Sequence, residues 1–422
     1  MLGAYVFLLA FMQPALPLFG LEAVAADLAW LPLAPLAALT LITGGARMRW
    51  HEGYWPLALY LFAMGLSAAF SGDPERSAVK LATQLYLLSL PVIVLILVET
   101  ETDLRRLFVA WFAASAAVAA IAAAAAAAFY LDPDNRLLAF ARNDYGTLPP
   151  GDYPRLRVTF LYAAMLCNYL TVSLAMLLAA RRLGWISGTP FGLLLGGILF
   201  AAALSLTPGL GGIFLAAGLW TWLLFMRSRS RLARLALTAA VAAASLFVLA
   251  MALTPFLHRT APFLIAVPGT DLTLAPAVRL MAWLDAASNF AADPWLGRGL
   301  GAEAVNVRIV LPSGELAGVT DAHNTFLNVA VQCGVAGLIA LVVLFIWVWR
   351  RTRPFRLAGT GVAGTLRLAL GFAFLNAFFY QGLGGSFEDA RHLWLLFGLF
   401  LAALRLEAMK KEATPREAAS LS

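Results

Sequence analysis

The sequence has few charged side chains and few residues that could cross-link the chain. Asp, Glu, Lys and Arg make up 13% of its 422 residues, against 62% hydrophobic residues and a mean hydropathy of +0.82. Soluble globular proteins are roughly 45–50% apolar, so this composition excludes that class and indicates a polytopic membrane protein. Cys167 and Cys333 both lie inside apolar runs. Neither a disulfide framework nor a zinc site is therefore expected.

Apolar runs of about 20 residues, each long enough to cross a bilayer core as a helix, divide the chain into predicted spans. Twelve such runs lie near 3–20, 22–44, 55–71, 82–98, 108–130, 158–180, 187–206, 210–226, 235–255, 326–349, 363–383 and 392–408. No basic group precedes the first run, so we expect a retained first span and no signal peptide.

Arginine-bearing loops fall on one side of the membrane if the twelve spans alternate. They contain Arg47 and Arg49, Arg105 and Arg106, Arg181 and Arg182, Arg227 to Arg234, and Arg350 to Arg356. By the positive-inside rule this side is the cytoplasm. The predicted division is helices 1–9 in 1–255 with a periplasmic loop near 131–157, a long periplasmic loop at 256–325, helices 10–12 in 326–408 and a cytoplasmic tail at 409–422. The predicted fold is an all-α polytopic membrane protein.

The long outer loop contains a helical pattern. Its apolar residues Val278, Met281, Leu284, Ala287 and Phe290 recur at three- and four-residue spacing, which predicts an amphipathic helix lying against the membrane surface. The turn Asp293-Pro294-Trp295-Leu296-Gly297 is expected to close it.

Basic residues on the predicted outer side are nearly all arginine. The arginines there are Arg76, Arg136, Arg142, Arg155, Arg157, Arg259, Arg279, Arg298, Arg308 and Arg391, with Lys80 the one lysine. A guanidinium grips phosphate oxygens with two hydrogen bonds, where lysine offers a point charge. Arg157, Arg279, Arg155 and Arg142 are the predicted diphosphate ligands. For any single arginine, contact with lipid headgroups is the alternative.

The stretch Asp321-Ala322-His323-Asn324-Thr325 ends the long loop and leads into an apolar run near Phe326. A helix start presents unpaired N–H groups and the positive end of its dipole, which favours a neutral imidazole. His323 is therefore a candidate general base, with Asp321 or Asn324 capping the helix and holding the histidine. An ordinary interfacial histidine beside a capping asparagine is the alternative.

The last outer turn, 384–392, places four ionisable side chains between two apolar spans. Such a cluster is costly unless it is paired or used. Glu388 or Asp389 could orient His323 or bind a sugar hydroxyl. A simple salt bridge from Asp389 to Arg391 that shapes the turn is the alternative.

These motifs together resemble the O-antigen ligase family. The resemblance is carried by Arg157 opening a helix, by Arg279 and Trp283 followed by Asp293-Pro294-Trp295-Leu296-Gly297-Arg298-Gly299, and by Ala322-His323-Asn324-Thr325 with Gly334-Val335-Ala336-Gly337 downstream. It spans about 150 to 400. Members often carry Ser-Arg-Gly after the seventh span, where this chain has Thr207-Pro208-Gly209.

The resemblance implies an inner-membrane glycosyltransferase that moves polysaccharide from undecaprenyl diphosphate to a core sugar of lipid A on the periplasmic face, without a metal ion. Displacing a diphosphate needs a base for the acceptor and positive charge for the leaving group, which His323 and the arginines would supply. Direct attack would invert the anomeric centre. The sequence has no Gly-rich phosphate loop and no paired acidic motif. We expect no cofactor and no nucleic-acid partner; the expected partners are the lipid-linked polysaccharide, lipid A-core and membrane lipids.

Two alternatives remain open. An O-antigen polymerase, or a protein O-oligosaccharyltransferase of the same superfamily, would share the loop and the lipid carrier and differ in its acceptor. A membrane transporter would place ionisable residues or broken helices near mid-membrane. The predicted spans are nearly free of charge, which favours chemistry at the membrane surface.

Overall fold

The fold is described from a computed structural model of the whole chain. The description covers residues 1–422 except 19–20, 46–49, 136–137, 139, 144–153, 226–229, 254–264, 267–272, 275–277, 311–315, 353–360 and 421–422.

Helices dominate the described residues. They are α1 (Leu2–Leu8), α2 (Ala25–Ile42), α3 (Tyr54–Ala69), α4 (Pro74–Leu97), α5 (Glu101–Leu131), α6 (Ala163–Arg182), α7 (Gly188–Ser205), α8 (Leu210–Phe225), α9 (Arg231–Leu253), α10 (Val278–Ala292), α11 (Thr325–Thr352), α12 (Val362–Phe374) and α13 (Arg391–Ser420). A π-helix (Leu375–Tyr380) and a 3₁₀ turn (Gln381–Leu383) continue α12.

Strands form three antiparallel pairs within the described part of the chain. They are β1 (Leu16–Leu18) with β2 (Leu21–Ala23), β3 (Ile265–Ala266) with β4 (Thr273–Leu274), and β5 (Val307–Val310) with β6 (Leu316–Val319). In the last pair Val307 lies opposite Val319.

The class of all-α polytopic membrane protein is confirmed. Within the described residues, eight helices are long and apolar enough to cross a membrane, and three more, α3 and parts of α8 and α9, are apolar but shorter. The predicted span at 3–20 is wrong as a single helix, because α1 ends at Leu8 and a β-hairpin follows. Pro14 and Pro17 interrupt that run, since proline lacks the N–H that a helix needs. The count of twelve spans stays a prediction.

The basic loops gather at one end of the helix bundle. Lys410 of α13 pairs with Glu101 at the start of α5 at 3.0 Å, and Arg405 donates to the Leu95 carbonyl near the end of α4 at 2.6 Å. Arg351 at the end of α11 pairs with Glu52, just before α3. The predicted loops at 47–49, 227–229 and 353–356 lie outside the described residues.

Helix α6 lies at the centre of the bundle, where nearly every side chain is buried. The Trp111 ring stacks on Tyr169 with centroids 5.0 Å apart, and the Trp111 indole donates to the Ser173 hydroxyl at 2.8 Å. Because apolar burial drives little association in lipid, close packing and such interhelical hydrogen bonds hold the bundle together.

The predicted helix in the long loop is confirmed as α10, but its buried face differs from the expected one. Ala282 and Ala286 are fully buried and pack with Ala322. Leu284, placed on the apolar face by its spacing, is 65% exposed. Small alanines allow α10 to approach the start of α11 closely, so the helix packs on protein along this side.

The Asp293–Gly297 turn is held on α11 where that helix is kinked. Gly334 has φ 63° and ψ −161°, a conformation open almost only to glycine. A Cβ there would lie 2.3 Å from the Trp295 carbonyl oxygen. The kink leaves the Val331 carbonyl to accept the Arg298 N–H at 2.8 Å. The turn and the glycine motif therefore form one joint, which fixes the long loop beside the first turns of α11.

Candidate active site

His323 lies two residues before α11 in a left-handed backbone conformation, with φ 49°. Such a conformation is uncommon for a residue with a side chain and is found at sites where surrounding contacts enforce it. Asp321 supplies that contact, since its Oδ1 accepts the His323 N–H at 2.5 Å and lies 3.5 Å from the ring Nδ1. The imidazole is half-exposed, at 49%. Its Nδ1 thus faces a carboxylate, which leaves Nε2 for an external group.

Asn324 is the cap of α11. Its Oδ1 accepts the N–H groups of Phe326 at 3.0 Å and Leu327 at 3.2 Å, which satisfies two otherwise unpaired donors. Thr325 then ties this helix start to the last outer turn, because its N–H and hydroxyl both donate to the Gly385 carbonyl at 3.0 Å. Of the two roles predicted for this stretch, Asn324 caps the helix and Asp321 holds the histidine.

A buried amide connects Asp321 to the last outer turn. The Asn328 side chain donates to Asp321 Oδ2 at 3.1 Å and to Glu388 Oε1 at 2.8 Å, and it accepts the Ala322 N–H at 3.0 Å. The Ser386 hydroxyl donates to Asp321 Oδ1. Asp321 is therefore oriented from the α11 side and from the 384–390 turn. We call Asp321, His323, Asn328, Ser386 and Glu388 the histidine network.

Glu388 is buried, and among the described residues its Oε2 has no hydrogen-bond partner. Burial raises the pKa of Glu388 to about 7; the negative charges of Asp389 and Asp321 add to this rise, and Lys80 opposes it. Glu388 is linked to His323 indirectly, through the Asn328 amide and the Asp321 carboxylate. That Glu388 or Asp389 orients the histidine stays a prediction.

The predicted salt bridge between Asp389 and Arg391 is wrong. Asp389 pairs with Lys80 of α4 and accepts a hydrogen bond from the Gln84 amide at 2.6 Å. Arg391 instead makes a two-bond pair with Asp27 of α2, at 2.6 and 2.7 Å. Neighbours in sequence diverge here because Arg391 starts α13 and faces α2, whereas Asp389 faces α4. Both side chains brace the turn that carries Glu388.

Arg279 is the predicted arginine whose charge acts on His323. Burial lowers its pKa, and among the described residues no carboxylate pairs with its guanidinium. It lines a narrow crevice with Pro208, Gly209, Gly384 and Phe387, together with Ala164, Tyr380 and Gln381. The Thr-Pro-Gly turn that departs from the family pattern thus borders Arg279. A half-buried cation that no described carboxylate pairs with favours an anionic ligand.

Charge and burial both act on His323. Loss of part of its hydration lowers the pKa of the half-exposed imidazole, the Asp321 carboxylate raises it and the Arg279 guanidinium lowers it, with a net pKa below the ordinary value. At neutral pH the ring is consequently uncharged, as a proton acceptor must be.

The other three predicted arginines form a separate group before α6. The Arg155 Nε donates to the Ser205 carbonyl at the end of α7, and the Arg157 Nε donates to the Phe140 carbonyl, both at 3.0 Å. Arg142 pairs in a β-bridge with Leu156, and its guanidinium lies 5.4 Å from the Phe129 ring centroid. Arg155 is connected to the Arg279 crevice through α7, whose end leads into Pro208 and Gly209. Arg136 and Arg259 lie outside the described residues.

Sequence reasoning missed Asn328, Ser386, Lys80 and Gln84 as neighbours of the site. Two of the four, Asn328 and Lys80, carry a signal in the sequence. Asn328 is a polar residue inside an apolar run, which is costly unless paired, and Lys80 is the one lysine outside the C-terminal tail. Within the described residues, no three His, Cys, Asp or Glu side chains group as metal ligands.

A comparison with protein families finds a match, and it covers several of the motifs described above. The family model described as O-Antigen ligase matches residues 191–342. That segment contains Arg279, the Asp293–Gly297 turn, His323 and Gly334, whereas Arg157 and the 384–392 turn lie outside it. No curated protein matches the chain. The family indicated by the motifs is thereby confirmed: the chain carries the domain of the O-antigen ligase family over residues 191–342.

Proposed function

We propose that the protein is an O-antigen ligase, which transfers polysaccharide from undecaprenyl diphosphate to a sugar hydroxyl of lipid A-core. The observation that carries this proposal is an orientated, uncharged His323 within the electrostatic influence of Arg279, a half-buried arginine that makes no ion pair among the described residues. The family domain supports a membrane glycosyltransferase of the ligase and polymerase superfamily. The substrate and the individual steps belong to the proposal.

His323 is the proposed general base. Because Nδ1 faces Asp321 at 3.5 Å, Nε2 carries the free lone pair and accepts the proton of the acceptor hydroxyl. The hydroxyl oxygen then bonds to the anomeric carbon of the donor sugar. The bond from that carbon to the diphosphate oxygen breaks, and undecaprenyl diphosphate leaves with the electron pair. One direct displacement inverts the anomeric centre.

Arg279 is the proposed ligand of the departing diphosphate. Its positive charge is partly removed from water, where an electrostatic interaction is stronger than at an open surface. Arg155, Arg157 and Arg142 are proposed to hold the same group from the α6 side, with Arg155 bonded to the end of α7. Asn324 and Asp321 support His323 directly, and Asp389 and Arg391 support the turn that carries Glu388. No cofactor or metal step is proposed.

The proposed location is the inner membrane of a bacterium, with the site facing the periplasm. The support is the separation of the two bundle ends: Lys410, Arg405 and Arg351 lie at one end, and the histidine network lies at the other. The positive-inside rule assigns the first end to the cytoplasm. Cysteine labelling tests this: Glu303→Cys should react with a membrane-impermeant reagent in intact spheroplasts, and Arg182→Cys should react only after lysis. The opposite pattern would overturn the orientation.

Reconstitution tests the function. Purified protein in liposomes is given lipid-linked polysaccharide and lipid A-core, with EDTA present and nucleotides absent. We expect the polysaccharide to become attached to lipid A-core with an inverted anomeric linkage. Chain extension of the donor without any transfer to lipid A-core would identify a polymerase instead. Folded protein that transfers nothing to lipid A-core, to a second donor chain or to protein would overturn the proposal.

A further inference from the structure

A second cleft lies at the same end of the bundle as His323. It has a volume of about 480 Å³ and is formed between the start of α4, the C-terminal half of α10 and the segment 298–306. This volume falls within the roughly 300–1,000 Å³ of small-ligand sites. The side chains that shape it include Arg76, Asp285, Asn289, Arg298 and Glu303.

The lining of this cleft differs from that of an ordinary ligand pocket, which is mostly apolar. Three carboxylates, Asp73, Asp285 and Glu303, face two guanidiniums, Arg76 and Arg298. The excess of negative charge disfavours a phosphate, and the polar lining disfavours a lipid chain. A sugar fits this chemistry, because each hydroxyl both donates and accepts hydrogen bonds, so carboxylates, amides and guanidiniums can all pair with it.

The cleft shares a wall with the histidine network. The Thr320 carbonyl, directly before Asp321, accepts the N–H groups of Ala304 at 3.0 Å and Val305 at 3.3 Å. Val305 lines the cleft, as does Glu303, which directly precedes Ala304. Its other wall is fixed as well, because the Ser77 hydroxyl donates to the Leu300 carbonyl at 2.7 Å. A chain of sugars lying in the cleft would therefore lead toward His323.

Helix α10 connects the cleft to the diphosphate side of the site. Arg279 lies at its first turn, and Asp285 lies six positions later, which is about 9 Å along the axis. The Asp285 carboxylate is itself held in place by the Asn306 N–H at 2.8 Å. One rigid helix thus presents a cation at the candidate leaving-group position and a fixed acid in the cleft.

We propose that this cleft binds uncharged sugar residues of a glycan substrate, next to the sugar that reacts. The proposal rests on the proposed glycosyl transfer and names the part of the substrate that the cleft takes. The sugars belong either to the acceptor core or to the donor polysaccharide, and the two sources share the same hydrogen-bonding chemistry.

Two variants probe the cleft in different ways. Glu303→Ala removes a hydrogen-bonding acid whose ion pair with Arg76, at 3.6 Å and half-exposed, contributes little to stability. Ala302→Trp fills the cleft with a bulky side chain. Glu75→Ala is the matched control, because Glu75 is also an exposed acid near the start of α4 but does not line the cleft. Glu303→Gln keeps hydrogen bonding and should fall between wild type and Glu303→Ala.

Transfer kinetics separate the two sources. Loss of one charge-assisted hydrogen bond should raise KM about tenfold. A rise in the KM for lipid A-core alone assigns the cleft to the acceptor, and a rise in the KM for the lipid-linked donor alone assigns it to the donor. Unchanged KM values for both substrates in Glu303→Ala and Ala302→Trp would overturn the proposal.

A binding measurement keeps this proposal distinct from the proposed function. The full-length protein in detergent is titrated with oligosaccharide released from lipid A-core by mild acid and with polysaccharide released from its carrier, and saturation-transfer NMR reports contact. We expect one of the two to bind wild type and Glu75→Ala, and to lose binding in Ala302→Trp. If wild type fails to transfer but shows this pattern, the transfer function fails and the glycan cleft stands. If neither oligosaccharide binds wild type, the cleft proposal is overturned.

Discussion

Replacing Asn328 by leucine should damage both the stability and the chemistry of the site. The side chain lies 2% exposed in the first turn of α11 and joins Asp321, Glu388 and Ala322 through hydrogen bonds of 2.8 to 3.1 Å. Leucine has a similar volume and favours helix. Asn328→Leu therefore removes the polar contacts of the amide with little change in helix propensity or packing volume.

The size of the stability loss follows from burial. The Ala322 N–H and the Glu388 carboxyl are buried and would lose this partner, and each unsatisfied group costs roughly 1–3 kcal/mol. Asp321 is more exposed, so water replaces its lost donor. We expect the free energy of unfolding to fall by about 2–6 kcal/mol. Asp321 would also lose its fixed position beside His323, and a misplaced catalytic group costs on the order of 100-fold in rate.

Tryptophan fluorescence during thermal unfolding in detergent measures the first effect, and transfer by the folded fraction well below Tm measures the second. Asn376→Leu is the matched control, because Asn376 is also buried in a helix and donates to the Gly212 carbonyl at 2.8 Å instead of to the network. The control should lose stability and keep its kcat. Wild-type stability and kcat in Asn328→Leu would refute the network.

Transfer should rise with pH and level off above a pKa lower than the ordinary 6.5 of histidine, because only the neutral ring accepts a proton and burial with Arg279 lowers its pKa. Asp321→Asn should shift this rise in transfer to still lower pH, because it removes the carboxylate that raises the pKa of His323. An unchanged pH profile would show that the pH dependence does not arise from His323. Arg279→Lys keeps the charge but loses the fork, so kcat/KM should fall about 10-fold or more; a near-wild-type value would leave headgroup contact as its role. For Glu388, whose pKa is raised to about 7, the folded state holds a proton that the unfolded chain loses above about pH 4.5. Stability should therefore fall by up to about 3 kcal/mol as pH rises through this window, and Glu388→Gln should flatten that slope in unfolding measured at pH 5 and pH 8.

The helices were predictable because a bilayer fixes the length of an apolar run. The run at 187–206 became Gly188–Ser205, and the run at 326–349 became Thr325–Thr352. The predicted span at 3–20 is wrong because prolines interrupt the helix, and hydropathy alone does not take proline into account. Buried faces were less predictable: Leu284 is exposed because α10 packs on protein through alanines, and the spacing of large apolar residues does not reveal that contact.

The catalytic candidates could be predicted where chemistry is local in sequence. His323, its cap Asn324 and its partner Asp321 occupy one stretch, so their roles follow from the position of a helix start. Partners that are distant in sequence could not be predicted in this way. Asp389 has its partner in Lys80 of α4, and Arg391 has its partner in Asp27 of α2. Only the packing of α4 against both α13 and α2 decides these pairs.

The structure gives a physical reason for two glycines that contribute to the family resemblance, Gly297 and Gly334. Gly297 has φ +72°, and a Cβ there would lie 2.5 Å from the Gln332 carbonyl oxygen. Together with Gly334 it lets two backbone segments touch without side chains between them. Packing of the long loop on α11 explains these two glycines, and the same packing positions His323, the proposed general base.

The most direct test of the account is single-turnover transfer by His323→Ala, with wild type alongside and EDTA present. The account predicts a rate lower by about 10²–10⁴-fold and partial recovery of transfer when imidazole is added. Binding of undecaprenyl diphosphate, followed by the change in tryptophan fluorescence, should be the same in His323→Ala as in wild type. A His323→Ala protein that keeps most of the wild-type rate would contradict the central claim that this histidine takes the acceptor proton.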